Sequence, residues 1–143
     1  MKIEVDQSGK VEKTNRDTVL AFSNGEQYSI LIGSNVKQSI FRNKSDRKFK
    51  IKFFAICVYL LLKNKVNGKE LIIIDEEYAG NNRIIKQVIY GLIKDDFPEF
   101  DKRSIIFGRV TKKSNAHNIA ILTYRKILKP NKIIKEEEIL ELL

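Results

Sequence analysis

The sequence predicts an α/β domain built on a mixed five-stranded sheet, with elements in the order β-β-β-α-β-α-β-α and helices on both faces. Three observations lead there. Up to Ile32, three short segments of alternating, β-branched or aromatic residues are separated by turn signals, the pattern of an antiparallel meander. Further on, ELIIID and SIIFGRV are isoleucine-rich runs of the kind found in strands buried on both faces. Segments of helical character lie before, between and after them. Such crossovers return the chain over the sheet and make the strands they join parallel.

Lys2 to Asp6 alternates, with Ile3 and Val5 facing one way and Glu4 and Asp6 the other; Gln7-Ser8-Gly9-Lys10 breaks it. Thr18 to Phe22 follows the polar stretch Lys13 to Asp17, and Ser23-Asn24-Gly25-Glu26 supplies a hairpin turn into Gln27 to Ile32. Gly33-Ser34-Asn35 ends the meander and can cap a short helix, Val36 to Phe41. Asn43 to Lys52 is a basic approach to a helix over Phe53 to Lys63, which is apolar on every side and stops at Asn67-Gly68. Glu70 to Asp75 is the fourth strand, with Asp75 at its end. In Asn81 to Lys94, residues Ile84, Ile85, Val88, Ile89, Leu92 and Ile93 recur at helical spacing. Ser104 to Val110 is the fifth strand; Ser114-Asn115 caps a helix over Ala116 to Ile127, which Pro130 closes off. The tail, residues 129–143, contains EEEILELL and reads as an acidic amphipathic helix or an edge segment beyond a core of about residues 1–128.

The chain has 143 residues, 43% hydrophobic and 31% charged, which suits one globular domain with one sizeable core. Its formal net charge of +9 favours a polyanionic partner, nucleic acid first. The one cysteine, Cys57, lies in an apolar run and cannot pair within the chain, which fits a reducing, cytoplasmic setting. The opening MKIEVD lacks the apolar stretch of a signal peptide, and the longest apolar run, Phe53 to Leu62, is too short to span a membrane. No P-loop, dinucleotide fingerprint, zinc spacing or serine-protease motif is present.

Ligands collect where strands end beside topological breaks in α/β sheets. If the first and fourth strands are neighbours, Asp6 and Asp75 emerge side by side, and two carboxylates that close need a counter-charge. A divalent cation supplies it, and oxygen ligands suit Mg²⁺ or Mn²⁺. His117, the only histidine, sits one turn into the following helix and can complete the site or move a proton. Such an arrangement can clamp both oxygens of a phosphodiester displacement.

The element order, Asp6 in IEVDQSGK, Asp75 in LIIIDEEY and His117 in KKSNAHNIAILTYRK together resemble the ribonuclease H-like superfamily. The resemblance covers about residues 1–128 through topology and three short motifs. It implies a first acid on strand one, a second on strand four and a third ligand on the last helix. Some branches, including the PIWI domains of Argonaute proteins, use an Asp-Asp-His set. Ribonuclease H itself has a glutamate on its first long helix, whereas FKIKFFAICVYLLLK carries no acid. A fourth ligand here falls to Glu76, Glu77, Glu12 or Asp17. DQSGK also resembles the phosphate loop of actin-like ATPases, but those need two such domains and a much longer chain.

On this reading Asp6, Asp75 and His117 are the catalytic and metal-binding residues of a divalent-metal nuclease. Lys10, Arg109, Lys112 and Lys113 lie where they can contact phosphates. Lys44, Arg47, Lys48, Lys50 and Lys52 form a second candidate track. The competing expectation is a nucleic-acid-binding or scaffold domain of the same fold without catalysis, homodimeric through its leucine-rich tail.

Overall fold

The computed structural model describes residues 2–42, 44, 46–110 and 113–143. It is a mixed α/β fold. Strands β1 (Lys2–Ser8), β2 (Thr18–Ser23) and β3 (Gln27–Ile32) form the meander. Helices α1 (Ser34–Phe41) and α2 (Arg47–Leu62) lead to β4 (Leu71–Asp75), and α3 (Asn82–Asp96) leads to β5 (Ile105–Gly108). Helix α4 (Asn115–Tyr124), the two-residue strand β6 (Lys132–Ile133) and α5 (Glu136–Leu140) complete the chain. None of these helices is long and apolar enough to cross a membrane.

Among the described residues the sheet has six strands rather than five, in the order β5-β4-β1-β2-β3-β6. The meander pairs antiparallel, while β4 joins β1, and β5 joins β4, in parallel. The sixth strand is tail sequence: Lys132 and Ile133 pair in parallel with Ile30 and Leu31 on the far edge. The core also reaches past residue 128, because Ile134 and Ile139 are buried in the same cluster as the strands.

Alternation sends each strand's residues to two faces. Ile3, Val5, Leu20, Phe22, Ile72 and Ile74 point into the main core against α2, with α1, α3 and α5 around it. Val19 and Ala21 point the other way, against Ile119 and Ala120 of α4. Helices therefore cover both faces, as the sequence predicts.

Two helix boundaries differ from expectation by three residues or more, each for a local reason. Helix α2 begins at Arg47, not Phe53, because Asp46 caps it by accepting from the Phe49 N–H at 2.8 Å. The lysines that follow are good helix formers, so the basic approach is the helix's own first turns. Helix α4 stops at Tyr124, not Ile127. Lys126 takes the left-handed conformation (φ 65°), the Ile127 N–H bonds the Leu122 carbonyl, and the Lys126 N–H bonds the Thr123 carbonyl, closing the helix in a Schellman motif.

Candidate metal centre

Strand pairing brings the two aspartates together. The parallel register of β1 and β4 runs to Val5 beside Ile74, so the next residues along, Asp6 and Asp75, are lateral neighbours. Val5 and Ile74 face the main core, and the aspartates after them therefore face α4. Asp75 ends its strand as expected; Asp6 does not, since β1 continues to Ser8. Asp6 is only 4% exposed as a result. On the outer side, Asp75 is paired with Gly108, which leaves that side of the row without a side chain.

Glu77 joins them. Ligand oxygens of Asp6, Asp75 and Glu77 all lie within 4.8 Å of one another. Mg²⁺ holds oxygens at about 2.0–2.1 Å and Ca²⁺ at up to about 2.6 Å, so opposite ligands of one ion stand about 4–5 Å apart. Three hard carboxylate donors at this spacing suit such a cation with little side-chain movement. In the sequence, Glu77 is one of four candidates for a further ligand. The available signal is alternation: residues 75 and 77 share a side of an extended chain, and residue 76 points away. Glu76 lies outside the triad, its carboxylate accepting from the Asn82 amide at 2.8 Å.

The cluster is electrostatically strained. Burial, a hydrogen bond to Asp75 and the charges of Asp75 and Asp6 push the Glu77 carboxyl up to about 7, against the lowering effect of a bond from Gln7. Burial also raises Asp6, opposed by its bonds to His117 and to the Gln7 N–H. A divalent cation would relieve both.

His117 is the third residue of α4, whose start is fixed by Ser114 accepting from the Ala116 N–H. Its Nδ1 lies 2.8 Å from Asp6 Oδ2. Asp6 Oδ1 accepts from the Gln7 N–H, and Asp75 Oδ1 from the Val110 N–H, both at 2.8 Å. Each carboxylate is thus held in one orientation while keeping lone pairs for a further partner. These groups line a cleft of roughly 530 Å³ with Gln7, Glu76, Gly108 and Arg109.

The structure brings Asp6, Asp75, His117 and Arg109 to one cleft. Lys113 is exposed at the approach to α4, and Lys10 is exposed on the β1–β2 loop; neither lines the cleft. Lys112 falls outside the described residues. Of the other candidate ligands, Glu12 and Asp17 lie outside the cluster.

Comparison with protein-family models, with curated proteins and with solved structures returned no match.

Proposed function

We propose that this protein is a divalent-metal-dependent nuclease of ribonuclease H-like type, cleaving phosphodiester bonds in structured DNA, RNA or hybrid nucleic acid. The observation that carries the reading is the convergence of Asp6, Asp75 and Glu77 oxygens within 4.8 Å at the end of two parallel strands. The element order through α4 supports it too, apart from the additional helix α1 in the β3–β4 crossover.

Asp6, Asp75 and Glu77 would hold Mg²⁺ or Mn²⁺. When bound, the ion supplies Lewis-acid polarisation of a phosphoryl oxygen and lowers the pKa of coordinated water. His117 presents Nδ1 to Asp6, which orients the ring and leaves Nε2 to take a proton from the attacking water or return one to the leaving oxygen. Arg109 lines the same cleft and can balance charge on the phosphate. Helices α2, α3 and α4 all start without an acid in the first turn. The last two begin just past β4 and β5, so their positive ends face an incoming anion.

Asp75→Asn is the cleanest test, because the Asn Oδ1 can still accept from the Val110 N–H. Mn²⁺-dependent cleavage should fall by roughly a hundredfold or more while nucleic-acid binding survives. The Asp6–His117 pair favours a second reading, a binding domain without catalysis, since it satisfies Asp6 without a cation. Wild-type protein that binds duplex, hybrid and single strands but cuts none of them in Mn²⁺ would establish that reading instead.

A further inference from the structure

We propose that the exposed first turns of α2 dock the second backbone of a duplex, so that the substrate is double-stranded nucleic acid and not a free single strand. The proposal rests on the nuclease reading for which strand is cut, but the dock itself is a separate surface. Every residue of α2 from Phe53 to Leu62 is buried. The side chains it exposes are Arg47, Lys48 and Lys52, all basic. Lys48 and Lys52 are one helical turn apart, about 6 Å along the axis, and share a face.

This arrangement works against the helix. Cations at a helix N-terminus oppose its dipole, and like charges four residues apart repel. No acid lies in the first turn to offset them, and the N-cap Asp46 is engaged with the Phe49 N–H. Three exposed cations against the one N-cap carboxylate leave this end of the helix with a net positive charge, which a polyanion covering it would neutralise.

Their position says which polyanion. Arg47 reaches the Ala79 carbonyl at 3.5 Å and meets the Asn81 amide, whose oxygen, suitably oriented, takes its NH2 at 2.9 Å. The basic turn is thereby fastened to the β4–α3 loop that carries Glu77. Arg109 lines the cleft itself, and Lys113 stands at the approach to α4. Because α2 and α4 cover opposite faces of the sheet, cations flank the carboxylate row on both sides. One backbone passes one flank. The two backbones of a duplex can engage both.

The test uses Asp75→Asn protein, so that nothing is cut, with Lys48→Ala/Lys52→Ala added and then Arg47→Ala. Binding to a short duplex and to one of its strands is measured against salt concentration. For the duplex, the log–log salt slope should become shallower by about 2–3 and affinity should fall by roughly tenfold or more, with single-strand binding unchanged. An unchanged duplex slope, or equal loss on both ligands, overturns the proposal, as does absence of duplex binding by the parent protein. The lysine double variant keeps Arg47 on its loop, and its melting temperature separates loss of contact from loss of fold. Failure of the nuclease reading looks different: wild-type protein cuts nothing in Mn²⁺ while the duplex-specific loss remains.

Discussion

Burial and the neighbouring Asp75 and Asp6 weigh against a charge on Glu77. In metal-free protein its folded-state carboxyl keeps a proton up to about pH 7, whereas the unfolded chain releases it near 4.5. The folded state binds more protons in that window, so this group's contribution to stability falls as pH rises from about 4.5 to about 7 and stays low above. Glu77→Gln removes the penalty. At about pH 8 in chelator, the variant should be more stable by on the order of 1–2 kcal/mol after solvent screening, read as a higher melting temperature. Added Mn²⁺ should raise the melting temperature of wild type and do little for the variant. A variant that melts lower than wild type in chelator would show that Glu77 is held by something other than repulsion from Asp6 and Asp75. Asp6 and Asp75 were legible in the sequence because Asp6 comes next after the alternating Ile3 and Val5, and Asp75 closes the isoleucine-rich run of the fourth strand. Glu77 was legible only as one of four acids, since the loop after β4 decides which of Glu76 and Glu77 turns inward.

The elements carry their own tests. Lys37 of α1 is fully buried, and its ammonium donates to the Lys13 carbonyl (2.8 Å) and Thr18 Oγ1 (2.9 Å), tying the helix to the β1–β2 loop. Burial lowers its pKa from 10.5 to about 8, with Cys57, Asp17 and Glu12 partly restoring it. Between about pH 8 and 10.5 the unfolded chain binds the extra proton, so Lys37's contribution to stability rises with pH in that range. Lys37→Met should lose that rise, a difference of roughly 1–3 kcal/mol between the two proteins' urea unfolding curves across the range. Equal pH profiles would mean that Lys37 titrates normally. Gly9 closes the same loop at φ +77°, and a Cβ there would overlap the Asp17 carbonyl oxygen and the Tyr124 ring of α4. Gly9→Ala should therefore cost more than about 1 kcal/mol and, by displacing α4 and with it His117, lower cleavage beyond what its stability loss explains. The strands of this sheet were legible from alternation and isoleucine content. The start of α2 was not, because its cap sits among lysines well before the apolar run, and β6 was not, because two residues become a strand only by pairing with β3.

At the scale of the whole molecule, the tail is where local pattern says least. The tail with EEEILELL reads as an acidic amphipathic helix or an edge segment, with a leucine-rich face for a partner. In the fold, β6 extends the sheet beside β3, Glu136 bonds Ser39 of α1, and Ile134 and Ile139 enter the main core. Those two side chains are at most 1% exposed, whereas Leu140 is 51% exposed. The tail should then unfold with the rest of the chain and not before it. Ile139→Ala should cost about 2–5 kcal/mol. The variant's far-ultraviolet and tyrosine signals should still melt together, as they do when one cooperative core is lost. Leu140→Glu should leave the melting temperature nearly unchanged, because an exposed side chain far from special geometry moves stability by about 0.5 kcal/mol or less. A change in sedimentation with Leu140→Glu alone would mark this face as an interface between copies. An early transition confined to the helical signal in Ile139→Ala would instead show that α5 docks onto a core that stands without it, and the sheet's far edge would then be free to open while the edge that carries the carboxylates stays closed.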